Sequence, residues 1–69
     1  MTNTALKMLR AGHDLTQAEF AERVGVTRAT YSMIESGQRL GRADFWAAVQ
    51  RVFKIPDADM WNLMQYNSH

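Results

Sequence analysis

The chain lacks cysteine altogether and has a single proline among its 69 residues. Without cysteine it can form neither a disulfide framework nor a thiolate site for a metal ion. The two histidines, His13 and His69, lie far apart, and no third metal ligand is spaced near either of them. We therefore expect no metal and no other cofactor. The fold must then depend on core packing, with a partner subunit as a further source of stability.

Long apolar runs and an excess of charge of one sign are missing as well. No segment approaches the roughly 20 apolar residues that span a bilayer, and residues 1–4 lack the basic and then apolar pattern of a secretory signal. We therefore expect no membrane partner and a cytoplasmic location. Eight basic and seven acidic residues leave a net charge of +1. The net charge therefore gives no indication of nucleic-acid binding, and only the distribution of the charged residues can.

Apolar residues recur at helical spacing in five short segments, which a chain of this length can pack into only one domain. The first helix is expected over about Thr4 to Ala11, with Gly12 as a left-handed terminator. The fourth is expected over about Arg42 to Phe53, and the fifth begins near Pro56-Asp57.

These three helices each present an apolar stripe to the core. The residues expected to face inward are Leu6 and Leu9, then Phe45, Val49 and Val52 or Phe53, then Met60, Leu63 and Met64. Trp46 and Trp61 do not both fit a narrow inward stripe. We therefore expect at least one tryptophan to be partly exposed, as interface residues of small domains often are.

The strongest local signal starts the second helix. Thr16 and Glu19 are spaced as a capping box, in which the threonine hydroxyl accepts from the backbone N–H of Glu19 and the glutamate reaches back to the N–H of Thr16. Leu15 before the cap and Phe20 after it are spaced to form a hydrophobic staple. The sequence therefore predicts a helix over about Gln17 to Val24.

A third helix must begin almost at once, because Gly25 can take a positive φ and turn the chain sharply. Thr27 is a suitable N-cap, with Val26 and Tyr31 as a second staple, and this helix is expected to end at about Ser36. Two short helices joined by a tight glycine turn cross at a large angle, which is the helix-turn-helix arrangement. The apolar residues that this crossing requires are Phe20, Val24, Val26, Tyr31 and Ile34, with Ala21 as the small residue where the backbones approach.

With these elements placed, residues 6–63 resemble the lambda-repressor-like DNA-binding domains of the Cro/C1 and XRE type. The strongest segment is LTQAEFAERVGVTRATYSMIESGQR, residues 15–39, which has the family's Thr-Gln opening of helix two, its small alanine and turn glycine, and its Ile-Glu-x-Gly exit from the third helix. The resemblance implies an all-α, compact five-helix domain over residues 1–69, with its core at about 4–64 and a polar tail at 65–69. It also implies double-stranded DNA as the partner, with the third helix, about residues 27–36, in the major groove.

The resemblance places base contacts near the N-terminal end of the third helix. Arg28 is the leading candidate, since a guanidinium can donate two parallel hydrogen bonds to guanine O6 and N7. Ala29 and Met33 are expected against thymine methyl groups, and Ser32 can bond a base or a phosphate. A solvated arginine or a phosphate contact is the alternative interpretation of Arg28.

Other residues match positions at which this family contacts the sugar-phosphate backbone. Gln17 looks like the family's phosphate-binding glutamine, and anions favour the helix N-terminus at which it lies. The other expected backbone contacts are Thr27, Thr30, Gln38, Arg39, Arg42 and Arg10. Arg10 and Glu35 also resemble the family's structural pair, which joins helix one to the end of the third helix. A solvated loop is the alternative interpretation of the basic residues after helix three.

We expect a sequence-specific transcriptional regulator, in the first instance a repressor, that binds DNA as a homodimer and is then associated with the nucleoid. Because only a polar tail follows helix five, the dimer is expected to form through the domain itself, with Met60, Trp61 and Met64 as the contact. Two-fold symmetry would place the recognition helices about 34–36 Å apart on an approximately palindromic operator.

A protein-interaction module is the second function that the sequence allows. An antitoxin that binds a toxin, or an antirepressor that binds another regulator, would use Met33, Trp46 or the surface of helix five, since methionine-rich surfaces adapt to partners. An enzyme is not expected. His13 and Asp14 are adjacent, but no motif places a nucleophile beside them.

Overall fold

The computed structural model describes residues 2–65, and within that range the chain forms five helices and no strand. They are α1 (Thr4–Gly12), α2 (Gln17–Val24), α3 (Arg28–Ser36), α4 (Ala43–Phe53) and α5 (Asp57–Met64). The all-α five-helix fold predicted from the sequence is confirmed. No helix in the described range is long and apolar enough to cross a membrane. Most of the predicted polar tail, residues 66–69, lies outside the described residues.

The predicted capping box starts α2. The Thr16 hydroxyl accepts from the backbone N–H of Glu19 at 3.1 Å, and Glu19 Oε1 accepts from the N–H of Thr16 at 2.9 Å. Leu15 and Phe20, the two residues of the predicted staple, are both buried. Local interactions between residues three to five apart thus determine where this helix begins.

The turn between α2 and α3 follows the glycine as expected. Gly25 has φ 78°, in the left-handed region, and the next N–H, that of Val26, donates to the carbonyl of Ala21 at 3.0 Å. Thr27 then caps α3 by accepting from the N–H of Thr30 at 3.1 Å. These two helices form the helix-turn-helix, and α2 packs on α3 more extensively than any other pair of helices in the described chain.

Aromatic rings join α4 to the helix-turn-helix. Phe20 is fully buried; its ring stacks on that of Phe53, with centroids 4.7 Å and planes 12° apart, and its centroid lies 4.7 Å from that of Tyr31. Such pairs contribute roughly 0.5–1.5 kcal/mol beyond the area they bury. Ala21 is 1 % exposed, as expected of the small residue at the helix crossing. The remaining helices complete the core, since α1 contacts α3 and α5, and α5 contacts α4.

The two tryptophans have opposite environments, which confirms that they do not share one inward stripe. Trp46 is 3 % exposed and Trp61 is 70 % exposed. Gly41 makes room for Trp46, because a Cβ at position 41 would lie 2.7 Å from Trp46 Nε1 and 2.9 Å from Cδ2 of Phe45. Arg42 is the N-cap of α4 and not its first residue.

The prediction that Gly12 ends α1 in a left-handed conformation is wrong. The helix includes Gly12, and the left-handed residue is Asp14, with φ 55°. The N–H of Asp14 donates to the carbonyl of Ala11, and the N–H of Leu15 donates to that of Arg10. This is the Schellman pattern, shifted two residues beyond the glycine, and aspartate tolerates the left-handed region better than most side chains.

Asn3 joins three helices, and it was not recognised from the sequence. Its Oδ1 accepts from the N–H of Leu6 at 3.0 Å, which caps α1. Its Nδ2 donates to the carbonyl of Leu63 in α5 at 2.8 Å, and its backbone N–H donates to the carbonyl of Glu35 in α3 at 2.7 Å. Asn3 is 3 % exposed, so each of these bonds lies in a buried environment, where an unpaired polar group is costly.

Lys54 ends α4 with φ 53°, a conformation that costs a residue with a Cβ about 1–2 kcal/mol. We expect Lys54→Gly to raise the free energy of unfolding by about 0.5–1 kcal/mol, since glycine removes the strain but adds unfolded-state entropy. Urea unfolding followed by circular dichroism measures the difference. The matched control is Lys7→Gly within α1, which should destabilise by about 1 kcal/mol. A loss of stability in both variants would show that Lys54 is not strained.

Candidate nucleic-acid interface

The outward face of α3 carries the four residues predicted to contact bases. Arg28 and Ala29 are exposed at the first turn, and Ser32 and Met33 are half-buried one turn later. Residues spaced in this way share one side of a helix. The buried residues of α3 lie on the other side, and they are Tyr31, Ile34 and Glu35. The helix therefore presents a surface of mixed polar and apolar chemistry while its other face is held in the core.

The side chain of Arg28 makes no hydrogen bond or ion pair with any other residue in the range 2–65, and it is exposed. Its guanidinium is therefore available to an external acceptor, which a base or a phosphate can supply equally well by charge alone. Arg28 is the first residue of α3, and helices that read the major groove contact base edges with this end.

Two threonines lie beside Arg28. The Thr27 hydroxyl accepts from the N–H of Thr30 at 3.1 Å and donates to the Thr30 hydroxyl oxygen at 3.0 Å. Because the Thr30 hydroxyl accepts in this pair, its own hydrogen remains free to be donated outward. The same two side chains thus cap α3 and orient a hydrogen-bond donor at its N-terminal end.

Behind this face, Arg10 and Glu35 form the pair that the family resemblance implied. Arg10 Nε donates to Glu35 Oε2 at 2.8 Å, and Arg10 Nη2 donates to Oε1 at 3.2 Å. Arg10 Nη1 donates to the Leu15 carbonyl at 2.9 Å. The two hydrogen bonds fix the guanidinium and carboxylate planes relative to each other. The pair joins α1 to the end of α3.

Glu35 has two further partners. The Tyr31 hydroxyl donates to Oε2 at 2.5 Å, and Gln17 Nε2 donates to Oε1 at 3.2 Å. Burial on its own raises the pKa of Glu35, but the hydrogen bonds from Arg10, Tyr31 and Gln17 outweigh it, and the pKa is lowered overall. Burial and the bond to Glu35 raise the pKa of Tyr31. Near neutral pH Glu35 is therefore a buried carboxylate that accepts hydrogen bonds from three side chains.

Gln17 is held in this network at the first turn of α2. Its amide nitrogen has two hydrogens, and the contact with Glu35 uses one of them. The side chain is half-buried, so the second hydrogen can be donated towards solvent or a phosphate. Glu35 thereby orients a residue that the sequence assigned to the DNA backbone.

The segment after α3 carries three more of the predicted backbone contacts, Gln38, Arg39 and Arg42, and all three are exposed. The N–H groups of Gln38 and Arg39 both donate to the Met33 carbonyl, at 2.9 and 3.2 Å. Neither arginine forms an ion pair with a residue in the described range. Asp44 follows Arg42 by two positions, and its Oδ1 accepts from the N–H of Phe45.

The residues predicted for a dimer contact differ in exposure. Met60 is 6 % exposed and packs in the core, Met64 is half-buried, and Trp61 is largely exposed. Trp61 therefore offers most of the apolar surface on α5. Trp46 is buried, so it is not available as the surface contact considered for an interaction module.

Two of the buried residues around this site carry signals in the sequence. Tyr31 was assigned to the core, which is correct, but its spacing of four residues from Glu35 on one helix already predicts a side-chain contact. Asn3, a favoured N-cap residue directly before an apolar helix, was a second such signal. Within residues 2–65 no three histidine, aspartate or glutamate side chains are grouped to hold a metal ion.

Comparison with known families agrees with this geometry. The helix-turn-helix family of the Cro/C1 type, also called the XRE family, matches residues 6–58. The chain therefore belongs to this family, whose members are DNA-binding transcriptional regulators. A search of curated proteins and a search of solved structures found no significant match.

Proposed function

We propose that the protein is a sequence-specific transcriptional repressor that binds double-stranded DNA as a homodimer, with α3 in the major groove. The observation that carries the proposal is the exposed face of α3, where the unpaired Arg28 lies at the helix N-terminus. Membership of a family of DNA-binding regulators supports the same assignment. Repression follows if occupancy of an operator blocks access to a promoter.

Specific recognition is assigned to four side chains. Arg28 donates both of its parallel N–H groups to one guanine, the commonest specific contact in the major groove. Ala29 and Met33 are apolar and suit thymine methyl groups, while the Ser32 hydroxyl can donate or accept. A half-site with a guanine near thymines is the sequence that this chemistry favours.

Backbone contacts fix the register of α3 on the duplex. The second amide hydrogen of Gln17 and the hydroxyl hydrogen of Thr30 are donors for phosphate oxygens at either end of the recognition surface, with Thr27 beside them. Arg39 and Arg42 supply positive charge from the segment after α3, with Gln38 as a neutral donor. Arg10 has N–H groups left over from its pairing with Glu35, and these can reach a further phosphate.

For the dimer we propose a contact around Trp61, with Met64 beside it and Met60 supporting it from the core. Large apolar surfaces that are exposed on a small domain are often interfaces. The Cα atoms of one protomer extend over 25 × 25 × 21 Å, so two copies side by side are wide enough to hold recognition helices about 34–36 Å apart. A protein that binds chromosomal DNA would function in the cytoplasm, on the nucleoid.

Selection of bound sequences from a random duplex pool tests the proposal. At about 0.15 M salt, screening suppresses non-specific contacts, and we expect an inverted repeat with half-sites about one helical turn apart. If well-folded protein enriches no motif, the proposal is wrong, and an interaction module that binds a toxin or another regulator becomes the better explanation. Enrichment of a single half-site would contradict the dimer but not DNA recognition.

Arg28→Ala is expected to relax specificity at one base pair of each half-site, with a loss of about 1–3 kcal/mol of discrimination. The measurement is the Kd for the selected operator and for operators changed at one position, by fluorescence anisotropy. Arg51→Ala is the matched control, since Arg51 is an exposed arginine in the last turn of α4. Equal losses on operator and random DNA would assign Arg28 to a phosphate.

A further inference from the structure

A cavity of about 220 Å³ lies between the turn that precedes α3, the segment after α3 and the start of α4. We call it the loop pocket. Val26, Ile34 and Phe45 provide its apolar lining, and all three are buried or half-buried. Leu40 adds an apolar wall and is 53 % exposed. An enclosed apolar cavity of about 150 Å³ is large enough for benzene, so by volume the loop pocket has room for a ring and a few further atoms.

The polar side of the loop pocket is cationic. Arg39 and Arg42 line it, and neither forms an ion pair within residues 2–65. Asp44 also lines the pocket, and its Oδ1 accepts from the N–H of Phe45, so two positive charges and one negative charge face the cavity and its lining is net positive. Thr30 adds a hydroxyl. Two free guanidinium groups beside an apolar cavity complement a molecule with an apolar body and one carboxylate.

We propose that the loop pocket binds a small organic acid of about ten non-hydrogen atoms, such as an aryl-substituted carboxylic acid. Its apolar body lies against Val26, Ile34 and Leu40, and its carboxylate accepts from Arg39 and Arg42. These are the arginines assigned above to DNA phosphates. Resting on the proposed function, we further infer that the acid and DNA compete, because one guanidinium cannot neutralise both anions. By linkage, DNA then weakens acid binding by the same factor.

The first test needs no DNA. Isotope-labelled protein is titrated with phenylacetate while backbone amide and methyl shifts are followed by NMR. We expect saturable shifts confined to Ile34, Arg39, Leu40 and their neighbours, with a Kd of about 1 mM or below, a normal range for so small a ligand. The neutral phenylacetamide should bind at least tenfold more weakly, and acetate and inorganic phosphate should give no saturable shift. Equal binding of the amide, or equal binding of acetate or phosphate, would overturn the site.

Three variants test the lining. Leu40→Ala removes an exposed side chain, so the protein should fold normally, and phenylacetate should bind about fivefold more weakly. Arg39→Gln combined with Arg42→Gln should abolish the preference for phenylacetate over phenylacetamide. Arg51→Gln removes an arginine that does not line the pocket, and it should change the affinity for neither phenylacetate nor phenylacetamide. An unchanged preference in the double variant would contradict the role of the two arginines.

Competition is tested last, with the selected operator. Phenylacetate at ten times its Kd should weaken operator binding about 11-fold for each protomer, roughly 100-fold for the dimer, in the unmodified protein, and phenylacetamide at the same concentration should have no effect. If phenylacetate binds but the protein recognises no DNA, the site stands and the proposed function fails. If operator binding is intact and phenylacetate gives no saturable shift, the proposed function stands and the site fails.

Discussion

Glu35→Ala is expected to lower the free energy of unfolding by about 3–5 kcal/mol, the loss usual when one partner of a buried ion pair is removed. The variant leaves the Tyr31 hydroxyl without its acceptor in a fully buried position and leaves Arg10 and Gln17 without their carboxylate. A domain of this size has a total stability of only about 3–10 kcal/mol. The variant should therefore be largely unfolded, or close to it, at room temperature. Urea unfolding followed by circular dichroism at pH 7 measures the change.

Glu22→Ala is the matched control, because Glu22 is a glutamate exposed on α2. Its replacement should change stability by less than about 0.5 kcal/mol. Glu35→Gln should fall between the two variants, since the amide keeps the size and one acceptor oxygen but places a nitrogen opposite Arg10. If Glu35→Ala costs no more than Glu22→Ala, the buried network does not stabilise the fold.

The pH dependence gives an independent signature of the same group. The pKa of Glu35 is lower in the folded state. The stability that its carboxylate contributes is therefore present above the unfolded-state pKa of about 4.3 and is lost as the pH falls through the folded-state pKa. Glu35→Gln should therefore flatten the acid side of the stability curve. Some slope should remain, because hydrogen bonding to the Thr16 N–H also lowers the pKa of Glu19. At alkaline pH the raised pKa of Tyr31 has a corresponding effect, because the stability that its neutral hydroxyl contributes is lost as the pH rises above about 10.

The starts of α2 and α3 could be predicted from the sequence because their determinants are local. Thr16 and Thr27 each contact a residue three positions away, and Gly25 needs no distant partner to take a positive φ. The same local reasoning misplaced the end of α1. It favoured Gly12 because glycine is the usual left-handed residue, whereas the chain continues for two more residues and Asp14 takes the left-handed conformation, which aspartate tolerates less well than glycine.

The buried contacts behind the candidate site could not be predicted from local spacing. Helical spacing alone separates the outward residues of α3 from the buried ones, so Arg28 and Met33 could be placed on one face. The contact of Gln17 with Glu35, 18 positions apart, depends on how α2 crosses α3. The bond from Asn3 to the Leu63 carbonyl spans 60 positions. No pattern in the sequence encodes such packing, and the loop pocket, which three separate segments form, has the same origin.

Salt should weaken operator binding steeply, and this prediction rests on the proposed function. If Arg39 and Arg42 each neutralise one phosphate in both protomers, four counterions are released, and log K should fall with log salt concentration with a slope of about −3.6. Raising the salt from about 0.05 to 0.5 M would then reduce affinity roughly 4,000-fold. Equilibrium titration of labelled operator at five or six salt concentrations measures the slope.

Arg39→Gln should halve that slope, to about −1.8, because it removes one phosphate contact from each protomer. Arg28→Ala should reduce operator affinity but leave the slope nearly unchanged, since a base contact releases no phosphate counterion, and Arg51→Gln should affect neither. The net charge is only +1, so the overall field of the protein is weak and the slope reports on individual arginines. A slope that Arg39→Gln leaves intact would place that side chain away from the DNA backbone and would remove the basis for competition at the loop pocket.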